Sequence, residues 1–127
     1  MVLIFKSKLL GWHNTGERMP QSGHPVRKRS VGLTQKRKLI FRLHALARMA
    51  QRGFEPAEIH YVLDNGSIIE QYPEDSPYPS CLVMSWINGR PVHVVVAIND
   101  DAQESIVITV YEPAPNVWDN GFTRRKS

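Results

Sequence analysis

The stretch CLVMSWINGRPVHVVVAI, residues 81–98, constrains the fold of this chain more than any other. Two apolar runs rich in β-branched residues flank Asn88-Gly89, a pair that tolerates the two left-handed positions of a tight hairpin turn. A two-residue turn there pairs Ile87 with Arg90, Trp86 with Pro91 and Met84 with His93. Because side chains alternate across a strand, the register also sorts the residues by face. Cys81, Val83, Val92, Val94, Val96 and Ile98 form an almost purely aliphatic face, expected to lie under helices. Leu82, Met84, Trp86, His93, Val95 and Ala97 form the other, expected to be open to solvent, with His93 either exposed there or hydrogen-bonded within the core.

The flanking segments supply the rest of the architecture. A first helix is predicted from about residue 40 to Gln51, with Leu43, Leu46, Ala47 and Ala50 gathered on one face and Gly53 as a left-handed stop. In FEPAEIHYVLDNG, Pro56 suits a first helical turn, Glu55 and Glu58 suit its positive end, and Ile59, Val62 and Leu63 share a face. A strand, SIIEQYP, and a proline-rich loop, EDSPYPS, precede the hairpin; the turn NDDAQES leads to a last strand, IVITVYE. There, Ile106, Ile108 and Val110 alternate with Val107, Thr109 and Tyr111. The expected fold class is therefore α+β, with two N-terminal helices packed on one face of a small four-stranded antiparallel sheet. A body of about 85 residues buries roughly 60–65% of its unfolded surface, so modest stability helped by a partner is expected.

Charge divides the chain. Residues 1–43 hold ten Lys/Arg against one acid, Glu17, whereas residues 44–127 hold six against eleven acids. Residues 1–38 mix Gly, Pro, Ser and clustered cations without a period. They are expected to form a basic, disordered arm that either contacts nucleic acid or a membrane surface or has no role of its own. A single domain over 39–123 and a basic tail over 124–127 complete the expected organisation. The start, MVLIFKSKLLGW, makes a poor signal peptide because Lys6 and Lys8 interrupt it. The lone Cys81 excludes an internal disulfide and a thiolate-rich zinc site, and a cytoplasmic location is expected.

Between residues 44 and 123 the only Lys/Arg residues are Arg48, Arg52 and Arg90. Two of these line up with His44 at four-residue spacing on the first helix, a stripe that is either a solvated face, with Arg52 paired to Glu55, or, the reading preferred here, the wall of an anion site. His93 on the hairpin and Tyr111 at the end of the last strand are the other candidates for chemistry; Arg90 is either a third phosphate contact or, the reading preferred here, a solvated turn residue. No metal motif, Gly-rich phosphate loop or aromatic stacking pattern is visible, although His60 and Asp64 stand four apart on the second helix.

HALARMAQRGF, VLDNGSIIEQYPEDSPYPSCLVMSW, NGRPVHVVVA and ITVYEPAPNVWDNGFTRRK together resemble a bacterial domain-of-unknown-function family, four-two-five-eight, over about residues 39–126. Its members look like small toxins of the RelE and MqsR type, often encoded beside a YgiT-type zinc-finger antitoxin. The resemblance implies a RelE-like fold, metal-independent endoribonuclease activity on RNA without a cofactor, and that antitoxin as a partner. On this reading His44 or His93 exchanges protons, Arg48 and Arg52 neutralise the phosphorane, and Tyr111 orients the scissile group. The alternative is a non-catalytic binding or regulatory module that docks a protein or nucleic acid.

Overall fold

A computed structural model describes residues 3–6, 28–29 and 33–126, the first two segments by their backbone alone. The element order is β1 (Leu3–Lys6), β2 (Lys28–Arg29), β3 (Lys38–Phe41), α1 (Leu43–Arg52), α2 (Pro56–Asn65), β4 (Ser67–Tyr72), β5 (Ser80–Ile87), β6 (Arg90–Asn99) and β7 (Glu104–Tyr111). All strands join one sheet in the order β1-β3-β7-β6-β5-β4-β2.

The hairpin has the expected register: Ile87 faces Arg90, Trp86 faces Pro91 and Met84 faces His93. Asn88 and Gly89 carry the positive φ values, 51° and 80°, that this turn requires. Gly53 closes α1 at φ 75°, its N–H returning to Ala50 and Met49. Pro56 opens α2, where the Glu58 carboxylate accepts the Glu55 N–H at 2.9 Å. Ile59, Val62 and Leu63 of α2, with Ala45 and Met49 of α1, pack on Val83, Val92, Val94, Val96, Val107 and Val110. The aliphatic face of the hairpin is thus the one the helices cover.

The four-stranded antiparallel sheet expected from the pattern is corrected. Five strands, β3-β7-β6-β5-β4, form a mixed centre, because β3 runs parallel to β7 with Leu39 opposite Ser105 and Phe41 opposite Val107. β1 and β2 extend its two edges. The helix expected from about residue 40 starts instead at Leu43, and Ile40 and Phe41 belong to β3: a three-residue apolar run, Leu39-Ile40-Phe41, beside helical periodicity is ambiguous, and the parallel partner lies more than 60 residues downstream. The apolar face of α1 also rotates. Leu43 is 60% exposed and the turns anchor instead through Ala45 and Met49.

Residues just before β3 pack against the body. Leu33, Thr34 and Arg37 are buried. The Arg37 guanidinium reaches Asp100 at 2.8 Å, the Ser105 hydroxyl at 3.0 Å and the Glu104 carbonyl at 2.8 Å, tying the segment before β3 to the β6–β7 turn. The rest of the expected arm, apart from β1 and β2, lies outside the described residues. Among the described residues, no helix is long and apolar enough to cross a membrane.

Candidate functional site

His93 points away from the helices, since its neighbours Val92 and Val94 point toward them. Of the two expectations for His93, the buried, hydrogen-bonded one holds: it is 0% exposed, because the chain after β7 folds back across this face. Trp118 packs edge-on against the imidazole with centroids 4.5 Å apart, and Phe122 presents its carbonyl to His93 Nε2 at 2.7 Å. This returning segment is closed by a bridge between Trp118 and Arg125 and by Asp119, whose Oδ1 accepts the Gly121 N–H at 3.1 Å.

Two β-bulges complete the arrangement. Val96 pairs with Val107 but Val95 pairs with Thr109, so Ile108 is an extra residue in β7. Strict alternation would place Tyr111 on the same face as Val107, under the helices. The bulge turns it to the other face, opposite His93, where its hydroxyl lies 3.2 Å from Nδ1. In β4, Ile68 pairs with Val83 and Glu70 with Leu82, leaving Ile69 extra. Ile68 enters the core beneath the helices while Glu70 crosses to the His93 face. Bulges re-aim side chains in this way beside functional sites.

The result is a linked polar group. Arg125 forks onto Glu70, Nε to Oε2 at 3.0 Å and Nη2 to Oε1 at 3.3 Å, and its guanidinium lies 4.7 Å over the Trp118 ring. The Tyr72 hydroxyl donates to Glu70 Oε1. Since the Phe122 carbonyl can only accept, Nε2 carries a hydrogen; Nδ1 of the neutral ring accepts from the Tyr111 hydroxyl.

The surroundings set the charges. Burial lowers the His93 pKa, opposed by the Phe122 carbonyl and the Glu70 carboxylate, so the neutral ring is favoured. Burial alone would raise the Glu70 carboxyl, but hydrogen bonds from Arg125 and Tyr72 outweigh it and hold the group below the usual carboxylate range. Burial and the Glu70 carboxylate push the Tyr72 phenol up to about 12. Burial also raises the Tyr111 phenol. A fixed carboxylate, a neutral imidazole, two protonated phenols and a guanidinium can together accept a proton, donate one and balance developing negative charge.

Of the residues read from the sequence, the fold brings His93 and Tyr111 together. It does not bring the α1 stripe to them. His44, Arg48 and Arg52 are exposed on a helix that packs on the opposite face of the sheet. The expected convergence is absent because His93 alternates away from that face. Arg90, beside the turn and partly exposed, is also held in place: it donates to the Arg52 carbonyl at 2.6 Å and to Glu112 at 2.8 Å, and stacks 4.1 Å over Phe54. His60 meets Asp64 at 3.1 Å, and Asp64 also accepts from Thr34. Cys81 is buried, and burial raises its thiol pKa. Among the described residues no cluster of His, Cys, Asp or Glu has a metal-binding arrangement.

Sequence reasoning missed Glu70, Tyr72, Trp118 and Arg125. The spacing of Glu70 and Tyr72, two apart in a strand, was a usable signal. Trp118 and Arg125 gave none, since the segment that carries them has no period.

No curated relative and no solved structure matches the chain. A family model described as Domain of unknown function (DUF4258) matches residues 41–112, from the end of β3 to just past β7 and more than half of the sequence, and the chain belongs to that family.

Proposed function

We propose that this protein is a metal-independent endoribonuclease of the RelE/MqsR type, the toxin of a toxin–antitoxin pair, acting at the Glu70–His93–Tyr111–Arg125 group. The observation that carries the reading is the pair of bulges: each displaces one strand's alternation, and together they bring a carboxylate and a phenol to the one imidazole of the sheet. RNA provides its own nucleophile, so a base, an acid and a cation suffice. The 2′-oxygen attacks phosphorus and gives its proton to the Glu70 carboxylate. The bond from phosphorus to the 5′-oxygen breaks, and that oxygen takes a proton from His93 Nε2 in its imidazolium form, the minor form above the lowered His93 pKa, so cleavage speeds up as pH falls toward it. Arg125 stabilises the charge on the phosphorane, and Tyr111 positions the ring through Nδ1. The leaving oxygen takes the place of the Phe122 carbonyl, which turns away from Nε2 when substrate enters. The acidic body fits a basic protein partner, here the YgiT-type zinc-finger antitoxin.

Cleavage of a single-stranded fluorogenic RNA by the full chain tests this. Glu70→Gln and His93→Gln each lower the rate by about 10²- to 10⁴-fold. Losses under tenfold for both remove the enzyme reading. Induced expression slows growth, and co-expression of the neighbouring gene restores it.

One observation favours a second reading, a non-catalytic module that docks a protein or nucleic acid. His93 is wholly buried, and its bonds fasten the C-terminal segment to the sheet. On that reading both variants lower the unfolding midpoint and no RNA is cut by the parent chain.

A further inference from the structure

Beside the His93 group lies a cavity of about 390 Å³, within the roughly 300–1,000 Å³ range of ligand sites. Asn65 and Ser67 line it from the α2–β4 junction, Met84 and Trp86 from β5, and Gly121 and Thr123 from the returning C-terminal segment. We infer that this cavity is a nucleobase subsite for single-stranded RNA, with Trp86 as its stacking wall; the inference deepens the ribonuclease reading above.

Trp86 is 46% exposed, while Trp118 on the same face is buried. The fold therefore has room to hide an indole on this face and leaves this one in water. Phe122 meets it edge-on, centroids 5.7 Å apart and planes at 73°, which holds the ring by its side. An exposed, laterally braced indole presents a π-surface on which any base stacks. The remaining lining suits a base edge better than a phosphate: an amide, the hydroxyl residues Ser67, Ser85 and Thr123, and a thioether, without a charge. The Asn65 Nδ2 donates to the Tyr61 carbonyl at 3.1 Å, which leaves Oδ1 as the acceptor of that amide.

Position supplies the second argument. Met84 is the register partner of His93, and Gly121 and Thr123 flank Phe122, whose carbonyl caps His93. A base seated here sets its ribose at the edge of the Glu70–His93 group. Arg124, Arg125 and Lys126 follow Thr123 directly, placing cations where the adjoining phosphates run.

The test is a titration of the full chain, followed by the indole N–H signal of Trp86 in nitrogen-15 spectra, assigned by its loss in Trp86→Phe. The probes are AMP, GMP, CMP, UMP and ribose 5-phosphate. At least one nucleotide shifts the signal saturably, and ribose 5-phosphate does not. Trp86→Ala, which lacks that signal and is titrated by calorimetry beside the parent, weakens that nucleotide about 5- to 150-fold, the usual effect of removing a stacking platform. Thr123→Val weakens it about 2- to 12-fold, as loss of one hydrogen bond does. Equal binding of ribose 5-phosphate, or nucleotide binding unchanged in Trp86→Ala, overturns the subsite. The ribonuclease assay separates the two readings. If Trp86-dependent base binding holds while the parent chain cuts no RNA, the enzyme reading falls and the subsite stands. If RNA is cut and Trp86→Ala keeps the parent's base preference, the subsite falls alone.

Discussion

The two faces of the central sheet carry different kinds of residue under different kinds of cover. One holds Val83, Val92, Val94, Val96, Val107 and Val110 beneath two helices. The other holds His93, Tyr111, Glu70 and Tyr72 beneath an irregular C-terminal turn, fastened by Trp118, the Phe122 carbonyl and Arg125. The first face is held by non-directional burial, which depends on how much apolar area leaves water. The second is held by directed bonds among groups that are costly to bury alone. Among the described residues, no buried side-chain nitrogen or oxygen lacks a partner. The difference teaches that polar groups are buried in so small a body on the face away from the helices, where an irregular segment can supply each of them with a directed partner.

The sharpest way to break the comparison is to change strand alternation. Deleting Val83 from β5 moves Met84 or Cys81 to the wrong face and costs more than about 4 kcal/mol, read as loss of the urea unfolding transition. Deleting Ile108, the extra residue of β7, leaves Val110 under the helices and Tyr111 beside His93. It costs about 0.5–3 kcal/mol and keeps the transition. Equal losses from the two deletions would show that the bulge does not set the faces.

Titration sharpens the comparison with a smaller effect. The His93 pKa is lowered on folding, so its contribution is complete above pH 6.5 and is lost as pH falls below it. The Tyr72 pKa rises from 10.0 to about 12, so its contribution is complete below pH 10 and is lost as pH climbs toward 12. Thermal midpoints measured against pH therefore fall at both ends. Tyr72→Phe flattens the alkaline limb and His93→Gln the limb just below neutrality. An unaltered profile in both variants would separate these groups from the stability of the fold.

The smallest effect is expected on the helix side. Arg48→Ala with Arg52→Ala changes stability by no more than about 0.5 kcal/mol, because both side chains are exposed. RNA cleavage stays within a few-fold of the parent. A loss matching that of Glu70→Gln would return the α1 stripe to the site.

Much of the helix-covered face was legible in the sequence because its signals are local. Asn88-Gly89 specifies a turn and hence a register, Gly53 and Pro56 punctuate helices, and alternation marks Val92, Val94 and Val96 as one surface. The site was legible only at His93 and Tyr111, and the company they keep was misread. The α1 stripe stood out through the scarcity of arginine in an acidic body, but scarcity carries no information on which side of a sheet a helix lies.

By itself the sequence determined the hairpin register, both helices and the identity of the aliphatic surface, since each follows from contacts within a few residues along the chain. Only the tertiary structure decided that β3 lies parallel to β7, that Ile69 and Ile108 are bulged, and that Trp118 and Arg125 return to meet His93 and Glu70. Those outcomes depend on partners tens of residues apart, where one displaced residue in a strand reverses the face of every side chain after it.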